Sequence, residues 1–443
     1  MNFKNYYLYF LFFYNILNAQ NGFQLVGNTS KVSIPFDLVN NLIIIPINVN
    51  GVKLNFLLDT GVSETIIFSL DDAGEVIFNQ SQTIKMKGFG KKEDFDAYRC
   101  RNNKLAIKDY VDVNHTIYLV LDQEINISSQ VGIPVNGIIG YHFFKNNPIK
   151  IDYISKRLTI LQGTKRQIDK IDKKYSKVRL SFNDNKPYLQ STTTFEPNNE
   201  SVNSKLLIDT GNSDALWLFK ERDNRIKIPN KNIDDFLGRG LNGDVFGKRG
   251  RIKSFDIDKY NVENPITSFP DSVVTSSIDL AENRVGSVGN EIMKRFDVVF
   301  DYNSNLLYLK KNSNFSEPFL FNMSGIEVQH QGLQWIKDSY EVNPAINNNV
   351  FDANGEKVKN NLQFKFELKP IFIISNIRRN SPAEACGLLR NDILVKINGD
   401  EATNLKLQEI NNLLKSEDDR NIKIEVERKG QILKFKFQLK SIL

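Results

Sequence analysis

Two cysteines and three histidines are few for a chain of 443 residues, and their scarcity removes whole classes of chemistry. Cys100 and Cys386 stand far apart in the chain, so a small disulfide-stapled scaffold is excluded and two unpaired thiols are expected. His115, His142 and His330 show no metal-ligand spacing; neither a metal nor another cofactor is expected. Charge of one sign is lacking too. The 58 Lys and Arg barely exceed the 52 Asp and Glu, and the two signs are interspersed, as where Lys91-Lys92 precedes Glu93-Asp94. No basic stripe offers itself to nucleic acid. Long apolar runs are missing except at the start, where Lys4 precedes a run from Tyr6 to Leu17 closed by Asn18-Ala19-Gln20. That run falls short of the roughly 20 residues that cross a bilayer. It has the form of a secretory signal over residues 1–19, with a membrane anchor as the alternative, so a periplasmic or extracellular location is expected. No later segment is long enough to cross a membrane.

What is present is ordinary globular material, 41% hydrophobic and 25% charged, in a length that suits two or three domains. Short alternating runs such as Lys53–Leu58 read as half-buried strands. Helix is scarce and expected near Tyr141–Lys145, Glu291–Arg295 and Asn232–Leu237.

The alternating runs belong to an internal repeat. Asp59-Thr60-Gly61 follows one apolar strand and Asp209-Thr210-Gly211 follows another, 150 positions later. Each copy has a matching tail. Gly137-Ile138-Ile139-Gly140 leads to Asp152-Tyr153, and Gly286-Ser287-Val288-Gly289 leads to Asp301-Tyr302, at a spacing of 149. One such string is a plain strand-to-turn ending; two composite patterns in the same order are a duplication. The polar stretch Thr164–Lys174 connects the two copies. The Asp-Tyr pairs read as strand ends and turns, and His142 as surface or packing.

Two aspartates at equivalent places in facing halves can hold one water between them. One carboxylate must be ionised to take a proton and the other protonated to polarise a carbonyl; aspartic proteases are the established example of titrations pushed apart by such closeness. Gly61 and Gly211 let backbone N–H groups approach the carboxylates, and the hydroxyls of Thr60 and Thr210 can bond across to the opposite loop. The strings Leu57-Leu58-Asp59-Thr60-Gly61 with Ile138-Ile139-Gly140, and Leu207-Ile208-Asp209-Thr210-Gly211 with Val288-Gly289, resemble the retropepsin-like and pepsin-like aspartic peptidases over roughly residues 34–162 and 178–310. The resemblance implies an all-β, bilobal fold (lobes at 30–163 and 176–314), a cleft between the lobes, and Asp59 and Asp209 as the catalytic pair. It leaves open which of them is ionised. It also implies a single chain acting as an internal pseudo-dimer on polypeptide substrates. Two departures stand out. Val62 and Asn212 occupy the place of the usual Ser, Thr or Ala, with Ser63 and Ser213 one place later. No flap tyrosine is evident; the Gly-rich stretches around Gly88-Phe89-Gly90 and Gly240 are the flap candidates.

The end of the chain is different. Ser381–Leu388, then Asn391–Leu394 and Ile397-Asn398-Gly399, resemble bacterial PDZ domains, placing a small β/α module within 320–443. Such domains bind an extended peptide at a sheet edge, and the loop that cradles its carboxylate is expected upstream, within 324–370. The combined expectation is an exported aspartic endopeptidase whose PDZ module assists substrate or partner binding. The alternative is a non-catalytic envelope protein that binds peptides in an inactive cleft.

Overall fold

In each half, the strand that ends in Asp-Thr-Gly begins with alternating exposure and finishes buried on both faces. The computed structural model, which describes residues 22–70, 73–87, 94–120, 127–240, 243–272, 280–341 and 362–443, shows why. Strand β1 (Val52–Leu58) runs parallel to β2 (Gly137–Ile139), pairing Phe56 with Gly137 and Leu58 with Ile139. In the second half β3 (Glu200–Ile208) runs parallel to β6 (Arg284–Val288), pairing Leu206 with Gly286 and Ile208 with Val288. Parallel pairs sit inside a sheet with both faces covered, which accounts for the unbroken apolar triplets before each aspartate. Among the described residues the two sheets have nine and ten strands.

A third sheet ties the halves together. Its six strands run in the order 176–179, 306–311, 296–301, 149–152, 157–161, 31–35, three from each half. At its centre Ile149 faces Phe300 and Ile151 faces Val298. Phe144 and Phe300 meet across this seam with ring centroids 5.2 Å apart, so the lobes share one apolar core.

Short helices fall near the expected places: α2 at Tyr141–Phe144 and α4 at Asn290–Met293, each just after the glycine that closes its tail. Helix α1 (Ile127–Val131) precedes them in the first lobe. The connection between halves contains α3 (Lys165–Asp172), opened by a Thr164/Gln167 capping box. Asn232–Leu237 is strand, not helix. It lies in β4 (Asn232–Gly240), hairpinned with β5 (Gly243–Arg251). Its buried residues Ile233 and Leu237 are four apart, a spacing that both periods satisfy. The strand partner decides, and Phe236 packs on Phe246 at 5.6 Å.

The C-terminal module is a six-stranded sheet with β7 (Ile326–Glu341) at its edge, paired along its length with β8 (Leu362–Ile377). Helix α5 (Pro382–Ala385) is capped by the Ser381 hydroxyl and followed by Gly387 at φ +92°. Helix α6 is Leu407–Leu414. Residues 1–19, the flap candidates Gly88-Phe89-Gly90 and residues 342–361 lie outside the described residues. Among the described residues no helix is long and apolar enough to cross a membrane, and both cysteines are free.

Candidate active site

Each Asp-Thr-Gly loop leaves its strand with its backbone still held by the parallel neighbour. Asp59 N–H donates to Ile139 O at 2.9 Å and Asp209 N–H to Val288 O at 3.0 Å. The tail glycines make room for these turns. A Cβ on Gly140 would stand 2.1 Å from Val62 O, and one on Gly289 would stand 2.3 Å from Asp214 O.

The loops are then fastened to each other by four reciprocal hydrogen bonds. Thr60 N–H donates to Thr210 Oγ1 at 3.0 Å and Thr210 N–H to Thr60 Oγ1 at 3.1 Å. The Thr60 hydroxyl donates to Ile208 O at 2.7 Å, and the Thr210 hydroxyl to Leu58 O at 2.8 Å. All of this is buried, so leaving any of these polar groups unpaired would be costly.

That clamp brings the carboxylates together. The single N–H of Gly211 donates to Asp59 Oδ1 at 3.2 Å and to Asp209 Oδ1 at 3.1 Å. Gly61 N–H donates to Asp59 Oδ1 at 2.7 Å. A Cβ on Gly211 would lie 2.2 Å from Asp59 Oδ2, so only glycine fits. Burial, followed by the negative charge of Asp209, holds the Asp59 carboxyl well above the ordinary range. Burial also raises Asp209, but the Arg284 guanidinium and the hydrogen bond from Asp59 work against it. Two like charges this close do not both persist, so the pair shares a proton.

The missing hydroxyl after Asp-Thr-Gly is not replaced by the serines one place on. The Ser63 hydroxyl donates to Asp184 O, and Asn212 Oδ1 accepts from Asp214 N–H at 2.9 Å. Support comes instead from residues that the sequence reading did not assign to the site. The Tyr153 hydroxyl donates to Asn290 Oδ1 at 2.7 Å, and Asn290 Nδ2 donates to Thr210 O at 2.6 Å. Asp152 and Asp301 do cap turns, accepting from Ser155 and Ser304 N–H, but the tyrosine beside each belongs to the site's foundation. Tyr302 is buried against Phe182, Phe144 and Tyr141, and that burial raises its phenol.

One cavity of about 670 Å³ contains both aspartates. Its walls join apolar residues (Leu57, Ile138, Phe219, Phe236, Phe319 and Phe321 among them) to charged ones such as Arg239, Arg249, Arg284 and Glu291. The β4–β5 hairpin forms one wall through Leu237, Gly238 and Val245. Gly240 pairs with Gly243 at the end of that hairpin, so the second flap candidate belongs to an element of the cleft. Behind the hairpin lies a buried ion cluster. Arg249 binds Asp214 at 2.7 Å and Asp235 at 2.8 Å, and Arg378 of the C-terminal module reaches Asp235 at 3.4 Å. Burial, with Asp235 alongside, pushes the nearby Glu327 carboxyl up to about 7. No group of side chains among the described residues has the makings of a metal site; His115 is instead buried between Asp112 and Thr65.

Residues 45–143 match the family model for aspartyl protease, and residues 373–428 match that for PDZ domain. The chain carries an aspartyl protease domain and a PDZ domain. The solved crystal structure of aspartic proteinase from Irpex lacteus is 10% identical, covering 65% of this chain and 99% of its own, at a TM-score of 0.41. No curated protein matches the chain. The family match on the protease domain includes Asp59 and Gly140, and the PDZ match lies entirely within the module that β7 borders.

Proposed function

We propose that this chain is an exported aspartic endopeptidase that cleaves extended polypeptide with a water activated between Asp59 and Asp209. The observation that carries the reading is the one Gly211 N–H shared by both carboxylates, which sets two acids at the separation that one water can span. Asp209, with Arg284 favouring its ionised form, takes a proton from the water. Asp59, protonated, passes its proton to the scissile carbonyl oxygen as the resulting hydroxide adds to the carbonyl carbon, giving a tetrahedral diol. The proton on Asp209 then passes to the leaving nitrogen, the C–N bond breaks, and Asp59 regains its proton from a hydroxyl of the diol. The Leu, Ile and Phe side chains of the walls receive apolar substrate side chains, and the charged residues beside them receive polar ones.

A peptide-library digest with the purified chain, read by mass spectrometry beside Asp59→Asn and Asp209→Asn, tests this. Cleavage by the parent and none by either variant is expected; equal cleavage by all three refutes the assignment. The hydroxyls missing at Val62 and Asn212 favour a second reading, a peptide-binding cleft without turnover. A statine-type transition-state mimic separates the two, since a cleft built only for binding gains no special affinity for it. Export rests on the composition of residues 1–19. The mature protein is expected to begin at Gln20 outside the cytoplasm, and an intact N-terminus in the cytoplasmic fraction would refute it.

A further inference from the structure

Three arginines line the cavity that holds Asp59 and Asp209, and two of them are matched by acids. Arg239 pairs with Asp244 at 2.8 Å, and Arg249 with Asp214 and Asp235 at 2.7 and 2.8 Å. Glu291, also in the wall, is matched by Lys294 and Arg295. Glu327 of β7 and Lys415 beyond α6 reach the cavity from the C-terminal module and offset each other. Arg284 is different. Among the described residues it makes no ion pair; its Nε donates to Gly286 O at 3.0 Å, the Tyr188 hydroxyl is a hydrogen-bonding neighbour, and its guanidinium lies over the Phe219 ring at 5.5 Å.

The fold aims this cation at the cleft. The equivalent place in the first lobe is Val135, fully buried in the core. In the second, Arg284 opens β6 opposite Lys205, and the register then slips at Val285 so that Leu206 faces Gly286. Such a bulge re-aims a side chain, and here the guanidinium stands in the cavity wall with Phe219, Ser287 and Asp209. A charge drawn out of water without a counter-ion is costly. One carbonyl, one phenol and one ring use only part of a planar fork with five N–H donors, the shape that matches a carboxylate two-fold. The other charges felt at this corner are cations too, Arg222 acting on Arg284 and Lys186 on Asp209. We propose that Arg284 is a specificity-determining residue, whose guanidinium, held by Phe219 and Tyr188, forms a subsite beside Asp209 that takes a carboxylate of the substrate. Two groups carry that chemistry: an acidic side chain near the scissile bond, and the free end of a short peptide. This rests on the peptidase reading and names a substrate class for it.

Binding of fluorescent peptides to the full-length Asp59→Asn chain, read by anisotropy at about pH 6 where glutamate is ionised, tests the proposal without turnover. One set, blocked at both ends, carries Glu, Gln or Lys at each position of an apolar sequence in turn; a second set has amidated or free C-termini. At one position Glu should bind about tenfold more tightly than Gln, with Lys weakest. If the chain end is the ligand, the free C-terminus should instead bind about tenfold better than the amide. Adding Arg284→Met should abolish whichever preference is seen while the Gln peptide binds as before. Adding Arg284→Lys, which keeps the charge but not the fork, should weaken it to about threefold, and decides the matter if the methionine variant does not fold. Equal binding across both sets overturns the proposal, as does an acid preference that survives Arg284→Met unchanged. Digestion of the same peptides by the parent chain separates the two readings. Cleavage without acid preference sinks the subsite alone, and an Arg284-dependent preference without cleavage sinks the peptidase reading alone.

Discussion

The two protease lobes offer the same frame and different surroundings. Both aspartates leave a buried strand beside a parallel neighbour, both threonines reach across to the other loop, and both tails end in a glycine that makes room for the turn. Around this frame the copies diverge. Two residues before the first tail glycine stands Val135, fully buried, where the second lobe has Arg284. After the last tail glycine stands Tyr141 in one lobe and Asn290 in the other. Five places beyond the aspartates, the first lobe has Glu64 and the second Asp214, which accepts from Arg249, Trp217 and Ser268. Geometry is therefore twofold while charge is not. A symmetric clamp sets the distance between two acids, and unlike neighbours surround them.

The largest test of that division removes one acid at a time. Asp59→Asn and Asp209→Asn should each lower kcat by about 10²–10⁴-fold or more, the usual worth of a positioned acid or base. Circular dichroism should be unchanged in both. Retention of activity by one variant would mean that the second lobe's carboxylate, or the first's, is scaffolding.

Next in size is the second lobe's ion cluster. Arg249→Met leaves Asp214 and Asp235 facing each other in a buried site without their shared cation. Removing one partner of a buried pair costs about 3–5 kcal/mol, to be read from the midpoint of urea unfolding. The first lobe buries a different polar group, His115 between Asp112 and Thr65. A small loss in Arg249→Met would show that the guanidinium contributes little to holding the second lobe.

The charge asymmetry itself is tested by Arg284→Met. The guanidinium lowers the Asp209 carboxyl against the effect of burial. Without it that carboxyl rises, so a larger fraction is protonated at a given acidic pH. Because the base must be ionised, the acid limb of the kcat/KM profile of the pair should move to higher pH, and activity on that limb should fall by about tenfold. The alkaline limb, which reports the protonated partner, should move less. An unmoved acid limb would sever Arg284 from the dyad.

These contrasts also mark what the sequence could and could not reveal. The frame was legible because it is written in short local strings that occur twice: Asp-Thr-Gly after an apolar strand, and glycine-closed tails at matched spacing. Arg284 carries no signal of its own; it stands out only when the second tail is laid over the first and a cation falls on a valine. Tyr153 and Tyr302 were read as turn residues because their neighbours Asp152 and Asp301 do cap turns, and nothing local points a phenol toward the other lobe. Asn232–Leu237 misled because apolar residues four apart fit either period until a strand partner is known. The contribution of β7 to the catalytic cavity joins residues far apart in the chain, and no pattern within either segment announces it.

The smallest expected difference lies under the loops. Tyr153 and Tyr302 follow equivalent strands, but only Tyr153 has a partner for its hydroxyl, Asn290, which in turn holds Thr210 O. The Tyr302 hydroxyl is buried and unpartnered among the described residues. Tyr153→Phe should therefore lose about 1 kcal/mol and leave a buried amide oxygen short of a donor, whereas Tyr302→Phe discards a polar group that satisfies nothing and should be neutral or slightly stabilising. Thermal and urea unfolding of the two variants, measured side by side, give the sign directly. If Tyr302→Phe proves the costlier change, its hydroxyl has a partner that supports the first lobe's loop, and the twofold frame extends one layer deeper than the hydrogen bonds described above.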